Sequence, residues 1–356
     1  MDMRSLPRQT PQEIARQLLA LSPDYAPTPL LDLGELATEL GVAQILAKDE
    51  GRRLLGSFKS LGGVYAGLRA LARAARTDIA DLCDPARRRA ALPALICASD
   101  GNHGLAVACA ARFAGASARV YLHENVSAIR ARRIEAQGAE IRWVDGAYDD
   151  AVAAAANAAL AGDGILVADT SDDANDPVVA DVMSGYGVIS AEIHDQVAAA
   201  DYRRPTHLFV QAGVGGLACA MAEGLKSWMA APAVLVVVEP DKAACVAAAL
   251  KENRLMRVPG DLETVAEMLS CGQASAPAVE ALRRAGARAI AVSELELTEA
   301  PRILRRGGGP ATTPSGATGF AGLRRAIAEK RADLAIETTS RILLVISEAA
   351  LENEAP

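Results

Sequence analysis

Four short stretches of this chain carry residue types that could do chemistry. In Leu54-Leu55-Gly56-Ser57-Phe58-Lys59-Ser60-Leu61-Gly62-Gly63 a single lysine stands among apolar residues, and no other charge falls between Leu54 and Arg69. Such a lysine is either an exposed exception or a buried amine, and a desolvated amine has a lowered pKa that suits Schiff-base chemistry. Ser99-Asp100-Gly101-Asn102-His103-Gly104 puts a carboxylate and an amide on one polar turn, and Asp169-Thr170-Ser171-Asp172-Asp173 clusters carboxylates. Helix capping and solvation account for Asp172 and Asp173; Asp169 is better placed for function. Ala212-Gly213-Val214-Gly215-Gly216-Leu217-Ala218 offers backbone N–H groups that no side chain shields from a phosphate. It lacks the spacing of a dinucleotide fingerprint and the lysine of a P-loop, which lowers the nucleotide readings.

Each stretch sits where a strand hands over to a helix. Gly41 to Glu50 reads as a strand ending in charge, and from Ser60 to Ala75 the apolar residues Leu61, Val64, Tyr65, Leu68 and Leu71 recur at helical spacing, which puts Lys59 at a helix N-terminus. Exposed N–H groups and the positive helix end favour an anion there. Strands are expected at 93–98, 118–122, 140–144, 165–168, 206–211, 234–239, 289–292 and 341–346, most of them followed by helical patterns. Such alternation predicts an α/β fold with a parallel sheet and right-handed crossovers, whose ligands bind at the carboxyl ends of strands. Thr10-Pro11-Gln12-Glu13 starts an initial helix, Arg76 to Arg89 joins two units, and 307–317 is expected to be a flexible loop leading into a helix at 318–329.

Composition narrows the partners. At 356 residues, 51% apolar and 23% charged, the chain suits about two globular domains with a generous core. A net charge of -7, with aromatics at only 3%, argues against nucleic acid and for small-molecule partners. No signal-peptide core opens the chain, and no run of about 18 apolar residues occurs, so no membrane partner and a cytoplasmic location are expected. The six cysteines form no CxxC pair, which points to buried thiols rather than a zinc site or disulfides, and no metal is expected.

In order and rough spacing, Gly56-Ser57-Phe58-Lys59, Ser99 to Gly104 and Gln211 to Leu217 resemble the fold-type II, tryptophan synthase β-like, pyridoxal-phosphate enzymes over roughly residues 28–348. Within that family, the aspartate after Ser99, the Gln-Ala-Gly-Val-Gly turn and Leu269-Ser270-Cys271-Gly272 look most like the diaminopropionate ammonia-lyases. The resemblance implies two open, mainly parallel sheets flanked by helices, with pyridoxal 5'-phosphate between a larger domain (1–90 and 185–356) and a smaller mobile one (91–184). It also implies a homodimer. Lys59 would hold the cofactor as a Schiff base, with Phe58 near its ring and Asn102 donating to its 3-oxygen. The backbone of Gly213, Val214, Gly215, Gly216 and Leu217 would hold its phosphate, and the Ser347 hydroxyl would meet its pyridine nitrogen. Ser315 is a weaker claimant for that last place, and His103 is expected to be structural.

The implied reaction is α,β-elimination of ammonia from 2,3-diaminopropionate or a close β-substituted amino acid, giving pyruvate and ammonia. Lys59 would remove the α-proton as general base. An amino group leaves well only as ammonia, so an acid is needed near Cβ, and Asp100 is the candidate; as a base on the opposite face it would admit a D-substrate. Asp169 would bind the β-ammonium or support the proton transfers. A serine, threonine or hydroxyaspartate dehydratase is the alternative, which Asp100 disfavours. A non-catalytic amino-acid-binding module of the same fold is a third reading, disfavoured by the intact Lys59, Asn102 and glycine turn.

Overall fold

The computed structural model of the protein describes residues 8–87 and 91–350. It holds the two mainly parallel, helix-flanked sheets that the α/β alternation and the family resemblance lead one to expect. Strands are numbered in chain order: β1 (Leu30–Asp32), β2 (Gln44–Asp49), β3 (Leu95–Cys97), β4 (Ala118–His123), β5 (Glu140–Val144), β6 (Ile165–Leu166), β7 (His207–Gln211), β8 (Val234–Pro240), β9 (Arg288–Val292) and β10 (Arg341–Ile346).

The first compact unit comprises the described residues of Met1–Tyr25, Lys59–Asp169 and Asp176–Val188. Its four-stranded sheet runs β5-β4-β3-β6, every pair parallel, with Leu95 opposite Ala118 on one side of β3 and Ile165 on the other. Glu13 closes a capping box on Thr10, which starts the first helix, Pro11–Leu21. The helix Lys59–Ala75 buries Leu61, Val64, Leu68 and Leu71 completely, and each such side chain contributes about 1.5–3 kcal/mol. It approaches the helix Asn102–Ala114 so closely that a methyl group on Gly63 or Gly67 would stand 2.6 or 2.7 Å from the Cβ of Ala106 or Ala110. Small residues on both helices are thus what brings Lys59 and Asn102 into one layer.

The second unit comprises the described residues of Ala26–Phe58, Thr170–Asn175 and Ile189–Pro356. Its six-stranded sheet runs β1-β2-β10-β7-β8-β9 and is parallel except for β1, a short antiparallel edge strand that the periodicity does not announce. The apolar core combines the inward residues of that sheet, among them Ile45, Phe209, Val236 and Leu344, with Leu297, Leu304 and Phe320 from the helices Glu294–Arg306 and Pro314–Glu329.

The compact units divide the chain at Tyr25/Ala26, at Phe58/Lys59 and again within 169–189, where the family resemblance implies boundaries at 90/91 and 184/185. Helix Lys59–Ala75 packs on Asn102–Ala114 and so groups with the smaller sheet. The joining segment expected at 76–89 contains the short helix Ile79–Cys83, and its end from Arg88 lies outside the described residues. The helix expected from residue 318 begins at Pro314 instead, because the Thr313 hydroxyl accepts the Gly316 N–H and proline suits the first turn. Among the described residues no helix is long and apolar enough to cross a membrane.

Candidate active site

In the first unit the candidate residues leave the carboxyl ends of adjacent strands. Asp100 and Asn102 follow β3, and Asp169 follows its parallel neighbour β6. Lys59 opens its helix, and its amine forms an ion pair with the Asp169 carboxylate, each side chain about one-fifth exposed. Burial works to raise the Asp169 carboxyl, but the Lys59 ammonium and its hydrogen bond hold it well below the usual carboxylate range. Lys59 is thus a partly buried amine with a carboxylate partner, and Asp169 is ionised at neutral pH.

His103 is buried directly behind that pair. Its Nε2 lies 2.8 Å from the Val167 carbonyl oxygen, two positions before Asp169, so Nε2 carries the proton and pins the exit of β6. Burial lowers the imidazole pKa against the pull of Asp169, which keeps the ring neutral. Asp100 has a different cation: its Oδ2 accepts a 2.7 Å bond from Arg130 Nη1. Asn102 begins the helix after the turn.

Sequence reasoning missed Arg130 and Tyr186. Arg130 is one of several arginines on the helix Ala128–Glu135, and nothing local distinguishes it from its neighbours. Tyr186 is buried, and its ring fills the space that a Gly62 side chain would need. Burial pushes its phenol pKa up, with Lys59 opposing and Asp169 adding to the rise. The flanking Gly185 and Gly187 were a usable signal, since Gly185 lets the backbone of Leu61 and Gly62 come close.

In the second unit, the remaining candidates issue from three neighbouring strands, β2, β10 and β7. After β2 the chain turns through Leu55 and Gly56, both at positive φ, to Ser57 and Phe58. The Phe58 N–H donates to the Ser347 carbonyl (3.1 Å), and the Ala349 N–H to the Gly56 carbonyl (2.9 Å), which locks the two segments together. Ser347 itself is buried at the end of β10. Ser315 is also buried, its hydroxyl oxygen accepting the Met268 N–H.

After β7 comes the glycine turn. Gly215 adopts φ +96° and ends the turn at the start of the helix Gly216–Leu225, whose N-terminus has no side-chain cap. A methyl group on Gly213 would stand 2.9 Å from Cys271 Sγ, and one on Gly215 would meet Ala278 and Val246 at 3.1 and 3.2 Å. Only glycine fits, and the first-turn N–H groups of Gly216 and Leu217 are left for an anion. Cysteines 97, 109, 219 and 245 are buried, Cys83 and Cys271 are partly exposed, and none of the six forms a disulfide.

Each unit thus offers one feature of its own, a partly buried amine at a helix start in the first and an uncapped glycine turn in the second. The family of pyridoxal-phosphate dependent enzymes matches residues 21–348. The chain belongs to that family. Among pyridoxal-phosphate enzymes, the diaminopropionate ammonia-lyase of Salmonella typhimurium is 36% identical over 261 residues, a match spanning 70% of this chain and 65% of that enzyme. The Escherichia coli enzyme of the same name is 33% identical over 304 residues, spanning 83% of this chain and 75% of its own length. The crystal structure of the Escherichia coli enzyme in complex with D-serine superposes with a TM-score of 0.85 at 27% identity, covering 99% of this chain and 91% of that one.

Proposed function

We propose that this pyridoxal-phosphate enzyme eliminates ammonia from 2,3-diaminopropionate, and that the enamine released takes up water to give pyruvate and a second ammonia. The observation that carries the reading is the pair of carboxylates on adjacent strand ends, one engaged by the candidate lysine and the other by Arg130. Two relatives that share the diaminopropionate ammonia-lyase name support it. Bound pyridoxal phosphate would supply an electron sink for the pair released when the Cα–H bond breaks.

The protein's own groups then divide the work. The N–H groups from Gly213 to Leu217 would hold the phosphate, and Lys59 Nζ would hold the cofactor and accept the Cα proton. Asp169 anchors the Lys59 amine between these tasks and supports its proton transfers. Asn102 and the Ser347 hydroxyl would hydrogen-bond the cofactor and Phe58 would pack beside it; a neutral hydroxyl at the ring nitrogen would favour elimination over transamination. Asp100 serves the β-amino group, holding it in the protonated form that leaves as ammonia, and it acts as base toward a D-isomer. The larger unit serves as the cofactor-binding part and the enzyme acts in the cytoplasm; it acts as a homodimer, a reading that rests on family resemblance and is checked by sedimentation of the purified protein.

The test is reconstitution with pyridoxal phosphate followed by a substrate panel. The wild type gains visible absorbance that Lys59→Ala lacks, and it releases pyruvate from D- and L-diaminopropionate faster than from serine, threonine or hydroxyaspartate. Asp100→Asn slows the diamino reaction by about 10²–10⁴-fold, the usual worth of a positioned acid or base. No absorbance in the wild type defeats the enzyme reading, and preferred turnover of the hydroxy amino acids makes it a dehydratase.

A further inference from the structure

Asp100 and Arg130 sit beyond the carboxyl ends of β3 and β4, neighbours in the first unit's sheet, at the edge where parallel sheets take their ligands. Arg130 is fixed at its backbone: its N–H donates to the Ser127 hydroxyl that caps the helix Ala128–Glu135. Its guanidinium reaches back to Asp100 at 2.7 Å, and both side chains remain about a quarter exposed, 25% for Arg130 and 24% for Asp100. Neither group is sealed from water, so the pair can open to an incoming ligand. The protein has therefore given its candidate β-group carboxylate a cation of its own, held loosely enough to be exchanged.

We infer that Arg130 is a specificity residue, a resident cation that Asp100 surrenders to the β-ammonium of a diamino substrate but not to a neutral β-group. This inference rests on the proposed role of Asp100. An incoming ammonium replaces one charge-assisted hydrogen bond to the carboxylate with another, so the exchange is nearly balanced. A β-hydroxyl brings no charge, so it leaves the Arg130 pair in place and gains no hold on the carboxylate. Discrimination arises from a competing contact against the wrong partner as much as from attraction to the right one. Its cost falls on the right substrate too, because the β-ammonium must displace the guanidinium before it can bind.

Arg130→Gln removes that displacement cost. In the reconstituted enzyme the KM for diaminopropionate falls about two- to fivefold, while the KM for D-serine falls further, because the freed carboxylate now accepts the β-hydroxyl and the preference between the two substrates narrows. Arg130→Lys keeps a cation at the site and keeps the wild-type ratio of the two KM values. Thermal unfolding of both variants, without substrate, stays within about 3 °C of wild type, as loss of an exposed pair requires. An unchanged or raised diaminopropionate KM in Arg130→Gln overturns the inference, as does an equal fall for both substrates. Asp100→Asn separates this from the reading beneath it. If Asp100→Asn leaves the diamino preference intact, the role of Asp100 fails; if it abolishes the preference while Arg130→Gln leaves the ratio unmoved, only the role of Arg130 fails.

Discussion

Two carboxylates show how differently burial ends when a cation is or is not at hand. Glu239, at the carboxyl end of β8, is fully buried, and its oxygens accept the N–H groups of Val246 and Ala247 at 2.7 Å. Those bonds favour the charge, but burial outweighs them and pushes the pKa up to about 8. Asp169 has Lys59 beside it and goes the other way. For Glu239 the sign follows directly: an unfolded glutamate titrates near about 4.3, so its stabilising contribution is complete below that pH and is lost as pH rises toward about 8. Glu239→Gln should flatten this decline, so that melting curves at about pH 5 and about pH 8 diverge less in the variant than in wild type. Parallel curves would show that the buried carboxyl stays ionised throughout. The sequence marks Glu239 as nothing more than the last charged residue of a strand, because desolvation is a property of the packed neighbourhood.

The loop that leads from β2 toward the candidate lysine is held by a buried ion network. Lys48 and Arg53 both reach the Glu192 carboxylate, at 2.6 and 2.8 Å, and Arg53 also grips Glu50 at 2.9 Å. Thr28 hydrogen-bonds Glu50, and Gln196 bonds Lys48 from the helix Pro177–Ala199. Burial lowers the Lys48 pKa, with Glu192 as the chief opposing influence. Glu192→Ala would leave two buried cations short of their shared anion and should cost about 3–5 kcal/mol, seen as a fall in the urea midpoint. A loss well under that figure would mean that Glu50 and water suffice. Read along the chain, Lys48-Asp49-Glu50 looks like a solvated strand end, yet Lys48 and Glu50 are completely buried. Its key partner lies 144 positions away, beyond any local pattern.

For the protein as a whole, a cofactor that binds only the folded state adds stability by mass action, about 2.7 kcal/mol when present at a hundredfold its Kd. Stripping pyridoxal phosphate should therefore lower the melting temperature and adding it back should restore it, with Lys59→Ala showing a smaller gap than wild type. A melting temperature indifferent to the cofactor would contradict the site described above.

The alternation of strands and helices, the helix start at Lys59 and the glycine turn were legible because each depends on residues within a few positions of one another: apolar period, capping and the want of a side chain. Even the helix Glu294–Arg306, which the motif reading passed over, carries a local capping box from Ser293 to Glu296. The antiparallel β1 was not legible, since three residues give no period and only the pairing of Leu30 with Lys48 makes them a strand. The candidate site divides along the same line. Lysine, aspartates and glycines announce themselves by type and neighbourhood, whereas it took the folded chain to set Lys59 against Asp169 across 110 positions and Asp100 against Arg130 across 30. Which carboxylate pairs with the lysine and which with an arginine is an electrostatic choice made by packing, because charge acts through space and the order of residues records only the chain.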